Sequence, residues 1–247
     1  MEVVFPWLRL GIIRAHHTNM SNYQTYRIAP EGLLVYLTYL ELDEYSLEAV
    51  EANMDRMWSC VDSLTESGAD RIVMGGVPVA AALGRDRVLE LHAAISDRSG
   101  LPVGSSFEDH ITAMEHLGAR KVALANRWPE STTLAVKAYL EAAGFELVSY
   151  RNAGGTLKEN KKKSPESDHE TAMELGRAAF TESPDADVLL LPGGNGYFLY
   201  AAPLLEAELG IPVLTNHTST LWAALHGHGG PYPVRPEPRW GRLLQSL

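Results

Sequence analysis

Cysteine is nearly absent, with Cys60 the single thiol in 247 residues. That excludes an internal disulfide and fits a reducing compartment. Long apolar runs are missing too, none reaching the ~20 residues that span a bilayer. Positive charge is in deficit: 21 Lys and Arg against 31 Asp and Glu give a net charge of −10. Such a balance argues against nucleic-acid or anionic-membrane partners. The opening Met1-Glu2-Val3-Val4 lacks a basic region followed by a small-residue cleavage site, so no secretory signal and a cytoplasmic location are expected. What is present is ordinary for a globular chain, 45% hydrophobic and 21% charged. The length suits one large domain or two small α/β lobes.

The chain repeats itself. Gly68-Ala69-Asp70 leads into the apolar run Ile72-Val73-Met74 and then Gly75-Gly76. Asp185-Ala186-Asp187 leads into Val188–Leu191 and then Pro192-Gly193-Gly194. Gly100-Leu101-Pro102-Val103 is matched by Gly210-Ile211-Pro212-Val213, and Leu10–Arg14 by Lys121–Ala125. All three pairs are offset by about 110 to 117 residues. Two copies of one α/β unit are expected, with the paired strand ends facing each other across a cleft.

Short apolar runs alternate with helix-period stretches, the pattern of a mostly parallel sheet covered on both faces. Strands are predicted near 8–13, 33–40, 71–74, 103, 121–125, 145–150, 188–191 and 213–215. Helices are predicted over 46–67, 86–99, 109–117, 130–143 and 168–182, with Gly68, Gly118 and Gly144 just past three of the C-termini. The lysine-bearing segment 156–167 is expected as a solvated loop, the sharper alternative being a basic flap over an anionic substrate. The tail 229–242 should pack back through Tyr232 and Trp240. Lobe one is drawn as 1–117 plus 216–247, and lobe two as 118–215.

In such sheets ligands bind beyond the carboxyl ends of the strands. Those ends carry residues 14–19 (with His16 and His17), Gly75–Pro78, Ser105–Asp109, Asn126-Arg127-Trp128, Gly193–Tyr197 and Asn216–Ser219. Gly193-Gly194-Asn195-Gly196 is expected to open a helix, so that its free N–H groups form an anion nest. It lacks the Lys-[Ser/Thr] of a phosphate loop and the spacing of a dinucleotide site. Arg127 is the expected carboxylate clamp, because guanidinium binds carboxylate bidentately. His217 ends the last strand and is the repeat counterpart of Phe107.

The duplicated layout resembles the Asp/Glu racemase superfamily, nearest to its arylmalonate decarboxylase and maleate isomerase branch. The resemblance is carried by the strand–Gly-Gly turns, GLPV and GIPV, LGARKVALAN, GIPVLTNHTSTLWAALHGHGG and the closing RWGRLLQSL. It implies two pseudo-symmetric α/β lobes with an active site between them, chemistry at a carbon next to a carboxylate, and no metal or organic cofactor. Carried over by position, the family's two catalytic cysteines fall on Gly76 and Gly193, its hydroxyl positions on Val77 and Pro78, and its carboxylate-cradling tyrosine on Trp128. Neither glycine has a side chain that transfers a proton, and Cys60 sits mid-helix.

Three readings follow. The first is a cysteine-independent decarboxylase- or isomerase-type enzyme on a small organic acid, with His17, His217 and Glu108 as acid–base groups. Substrate would be held by Gly76, Val77, Arg127, Trp128, Gly193, Gly194, Asn195 and Tyr197. The second is a metal-assisted hydrolase or lyase, with a divalent ion on ligands from His16, His17, His217 and Glu108 or Asp109. The third is a non-catalytic carboxylate-binding protein. The bland alternatives are helix capping for Glu108 and Asp109, an ion pair for Arg127, and a backbone-bonded histidine at 217. The expected partner is a small carboxylate, and a homo-oligomer is expected only by analogy.

Overall fold

A computed structural model describes residues 3–17 and 19–247, except for the side chain of Asn19. Thr18, counted above among the rim residues, lies outside that description. The elements run β1 (Leu8–Arg14), α1 (Asn19–Ile28), β2 (Leu33–Tyr39), α2 (Leu47–Glu51), α3 (Met54–Glu66), β3 (Arg71–Met74), α4 (Val77–Leu83), α5 (Arg85–Ser99), β4 (Val103–Ser105) and α6 (Ser106–His116). The second half runs β5 (Lys121–Asn126), α7 (Glu130–Ala142), β6 (Glu146–Asn152), α8 (Leu157–Asn160), α9 (Pro165–Glu182), β7 (Val188–Leu191), α10 (Ala201–Leu209), β8 (Val213–Thr215), α11 (Asn216–His228) and α12 (Arg242–Gln245).

Two parallel four-stranded sheets result, ordered β2-β1-β3-β4 and β6-β5-β7-β8. The shared order is the sequence repeat made visible. Because side chains alternate along a strand, each strand divides its apolar residues between two cores. Leu8, Leu10, Ile12 and Val73 of the first sheet join Val122, Leu124, Val188, Leu190 and Leu214 of the second in one central core. Ile13, Ile72 and Met74 face an outer core with α3 and α5, while Ala123, Leu189, Leu191 and Val213 face another with α9 and α10. Each fully buried Leu, Ile or Val contributes about 1.5–3 kcal/mol, so the central core brings the two sheets' rims together.

Three expectations need correction. The helix predicted over 46–67 is two helices: Asn53 Nδ2 donates to the Ala49 carbonyl at 2.8 Å, and its backbone leaves helical geometry. The helix predicted from Asp109 begins at Ser106, capped by Ser105 Oγ, which accepts from Glu108 N–H. Segment 156–167 is not a plain loop, for Thr156 and Glu159 form a capping box that opens α8, and Pro165 opens α9. The tail does pack back. Tyr232 Oη donates to the Leu225 carbonyl, and Trp240 is buried edge-on against Tyr200.

A polar clip on α1 crosses the seam. Gln24 is fully buried; its Nε2 donates to Gly196 O at 2.8 Å, and its Oε1 accepts from Leu199 N at 3.0 Å. Gln24→Ala leaves those loop groups without partners, each costing about 1–3 kcal/mol. Chemical denaturation should report a loss of about 2 kcal/mol or more with the far-UV spectrum preserved; a loss under about 0.5 kcal/mol would contradict the clip.

Candidate active site between the two sheets

The strand ends and first helical turns of both halves enclose a cavity of about 100 Å³. Arg14 enters it from the end of β1. By strand parity its side chain shares the inner face with Leu8, Leu10 and Ile12. Its Nη1 donates to Ser21 Oγ and its Nη2 to Thr25 Oγ1 at 3.1 Å, both from α1. Its Nε is buried with no acceptor. Among the described residues no carboxylate pairs with Arg14, and no Asp or Glu lines the cavity. Burial in the protein therefore holds its pKa down at about 10.

His217 stands opposite. Thr215 and Thr218 cap each other at the start of α11, directly after β8, which fixes His217 in the first helical turn. Its Nε2 lies 3.3 Å from Ser21 Oγ. Burial first, then the Arg14 charge, depress its pKa to about 3, so the imidazole is neutral at physiological pH. His16 completes the donor set. Its Nε2 accepts from Asn195 Nδ2 at 2.6 Å, which puts the ring proton on Nδ1, a buried donor without a partner. Burial, with Lys161 and Arg14 adding to it, lowers its pKa to about 4. Lys161 and Asn160 line the same cavity from α8 and the residue after it.

Several expected site residues lie elsewhere. His17 points away: its ring stacks on Tyr39 at 3.9 Å, its Nε2 approaches Glu41, and its side chain is 68% exposed. His16, by contrast, is buried and lines the cavity. Glu108 is structural, since Arg85 grips its carboxylate with two donors and Tyr139 Oη donates to it at 2.8 Å, tying α5, α6 and α7. Asp109 is buried against Arg71 at 3.1 Å, and burial raises its pKa to about 6. Tyr197 stacks between Tyr23 and Tyr200 outside the cavity lining. His16, His17, Asp109 and His217 therefore do not converge, and among the described residues no group of three or more His, Cys, Asp or Glu side chains is placed to hold a metal ion.

Arg127 does line the cavity, but its guanidinium is taken. It donates to buried Asp168 and lies over the Phe198 ring, while its carbonyl accepts from Asn160 and Gly155. The turn 193–196 does not open a helix, for α10 starts only at Ala201, and Gly193 N–H is donated to Asn216 Oδ1 at 3.0 Å. Gly76 and Gly193 both line the cavity with φ near +105° and +122°. That backbone disfavours any residue with a Cβ. Val77, Trp128, Gly194 and Asn195 also line it. Cys60, on α3, hydrogen-bonds the Tyr39 carbonyl and is not among the lining residues.

His110 carries no local sequence signal that marks it for the site. It is fully buried, with Nε2 at 2.9 Å from Asn216 Oδ1 and Nδ1 at 2.8 Å from Ser219 Oγ. Since the amide oxygen only accepts, Nε2 carries the proton. The same Asn216 oxygen takes Gly193 N–H, so His110 props the turn beside the cavity.

The arylmalonate decarboxylase family profile matches residues 25–237. Arylmalonate decarboxylase from Bordetella bronchiseptica is 27% identical over 207 residues, 84% of each chain. Unliganded arylmalonate decarboxylase superposes with a TM-score of 0.82 at 24% identity, over 98% of this chain and 100% of that one. A Nocardia farcinica maleate cis-trans isomerase variant with a covalently bound succinylcysteine intermediate superposes with 0.84 at 22% identity, over 97% and 99%. The fold is an α/β architecture of two repeated halves with a cavity at the strand ends. The chain belongs to the arylmalonate decarboxylase family.

Burial depresses the His110 pKa to about 4. The unfolded chain takes up that proton near pH 6.5 and the native one does not, so stability held above 6.5 is lost as pH falls toward 4. His110→Gln lacks this titration. Its stability loss between pH 7 and pH 5 should be smaller than the wild type's by about 2 kcal/mol; equal losses would contradict the buried neutral imidazole.

Proposed function

We propose that this protein is a cysteine-independent, cofactor-independent enzyme that makes or breaks a bond at the carbon alpha to a carboxylate in a small organic acid. One observation carries the reading: Arg14 Nε and His16 Nδ1 are two buried donors without acceptors, beside a cavity that no acidic side chain lines among the described residues. Unpaired buried donors each cost about 1–3 kcal/mol, and a bound carboxylate would satisfy both. In a chain with net charge −10, the Arg14 and Lys161 cations on the cavity wall favour an anion.

In decarboxylation the bond from the alpha carbon to the departing carboxylate breaks as CO₂ leaves. The electron pair moves into the remaining carboxylate as an enediolate. Arg14, with His16 Nδ1–H, holds the charge that develops there. His217 takes up a proton from solvent and delivers it to the alpha carbon; in an isomerisation it would first remove one and then return it. Burial keeps His217 neutral in the free enzyme, and an anion on Arg14 cancels the second cause of its lowered pKa. Substrate binding therefore raises its affinity for the proton it must carry.

Turnover is to be measured as CO₂ release from substituted malonates and as exchange of the alpha hydrogen with deuterium. His217→Ala should lower kcat by about 10²-fold or more. Arg14→Gln should raise KM by about 10- to 100-fold, the worth of a charge-assisted contact. Near-wild-type kcat in His217→Ala would sink the assignment of the proton carrier.

A further inference from the structure

The cavity does not end at the rim. Below Arg14 it follows the inner face of β1 past Ile12 and Leu10, then reaches Leu33 and Val35 on β2. Those strands are in register, Leu8 beside Leu33 and Leu10 beside Val35. The opposite wall is one stripe of α1, Ser21 and Thr25 and then Ile28 one turn further on, followed by Ala29 just past the helix end. α11 adds His217 and, one turn deeper, Leu221.

All three elements change character in the same direction. On β1 the order inward is Arg14, Ile12, Leu10; on α1 it is Ser21, Thr25, Ile28; on α11 it is His217, Leu221. No charged side chain lines the channel below Arg14 among the described residues. The four residue steps along the strand from Arg14 to Leu10 span about 13 Å. The seven helical steps from Ser21 to Ile28 span about 10–11 Å. Strand and helix thus give one depth.

Resting on the reading of Arg14 as the carboxylate group, we propose that the substrate is an amphiphilic acid whose unbranched alkyl tail runs from the carboxylate end down this channel between β1, β2 and α1. A second anionic group has no counter-charge there. An apolar cavity of about 150 Å³ stays dry and takes up a hydrocarbon guest; the channel offers the same kind of wall, with a cation fixed at its mouth. The tail sets which acid is accepted, while the groups at the rim act on it.

The test is calorimetric titration of the full chain with straight-chain carboxylates from acetate to octanoate, on the wild type and on Val35→Phe, Ala29→Leu and Arg14→Met. Wild-type affinity should rise about fourfold per methylene and then level off once the channel is full. Val35→Phe, or Ala29→Leu on the facing wall if the first does not fold, should level off at a shorter acid, with a loss that grows with tail length. Affinity independent of length but abolished in Arg14→Met would overturn the tail and leave the carboxylate site standing. Equal losses for short and long acids in both wall variants would also overturn the tail. Failure of every acid to bind would overturn this inference together with the reading of Arg14.

Discussion

A guanidinium enclosed at a protein seam without a carboxylate beside it is costly, and the rest of this site is arranged around that cost. Arg14 stands on the inner face of β1, where strand parity gives it no choice but to share the cavity wall with Leu10 and Ile12. Two hydroxyls of α1, from Ser21 and Thr25, satisfy part of it, while its Nε stays unpaired and its pKa falls to about 10. A charge held this way is poised for an anion. Burial is the main cause that keeps His16 and His217 uncharged, and the Arg14 charge adds to it.

The duplicated architecture explains how these groups meet. Each sheet sends its alternate apolar residues into the shared central core, which sets the carboxyl ends of the two strand sets face to face. Gln24 fastens the second sheet's 193–199 turn to α1, and Asn216 joins that turn to His110 on α6. Among the fold's relatives, one maleate cis-trans isomerase structure carries a succinylcysteine intermediate. Here the only thiol, Cys60, lies on α3 outside the cavity lining, and Gly76 and Gly193 hold backbone conformations unsuited to a side chain. The chemistry proposed here passes to imidazole and guanidinium.

Much of the fold was legible from the residues alone, because a strand's alternation and a glycine-terminated helix are local signals. The eight strands and the repeat offset were readable for that reason, as were Gly68, Gly118 and Gly144 with their positive φ. The site was less legible because its logic is pairwise. Arg127 looks like a free clamp until Asp168, 41 residues on, folds against it. Glu108 looks catalytic until Arg85 and Tyr139 arrive from neighbouring helices. Arg14 was overlooked on sequence although a signal existed: two, four and six residues before it stand Ile12, Leu10 and Leu8, the inner-facing set. Nothing local marks Gln24, whose partners lie about 170 residues away.

The most direct measurement is a crystal structure of the protein grown with malonate. A carboxylate oxygen within hydrogen-bonding distance of Arg14 Nε and His16 Nδ1, with Arg127 still on Asp168, is the predicted result. Malonate seated on Arg127 or on the 193–196 turn, or Arg14 found paired with a carboxylate of the protein, would contradict the account.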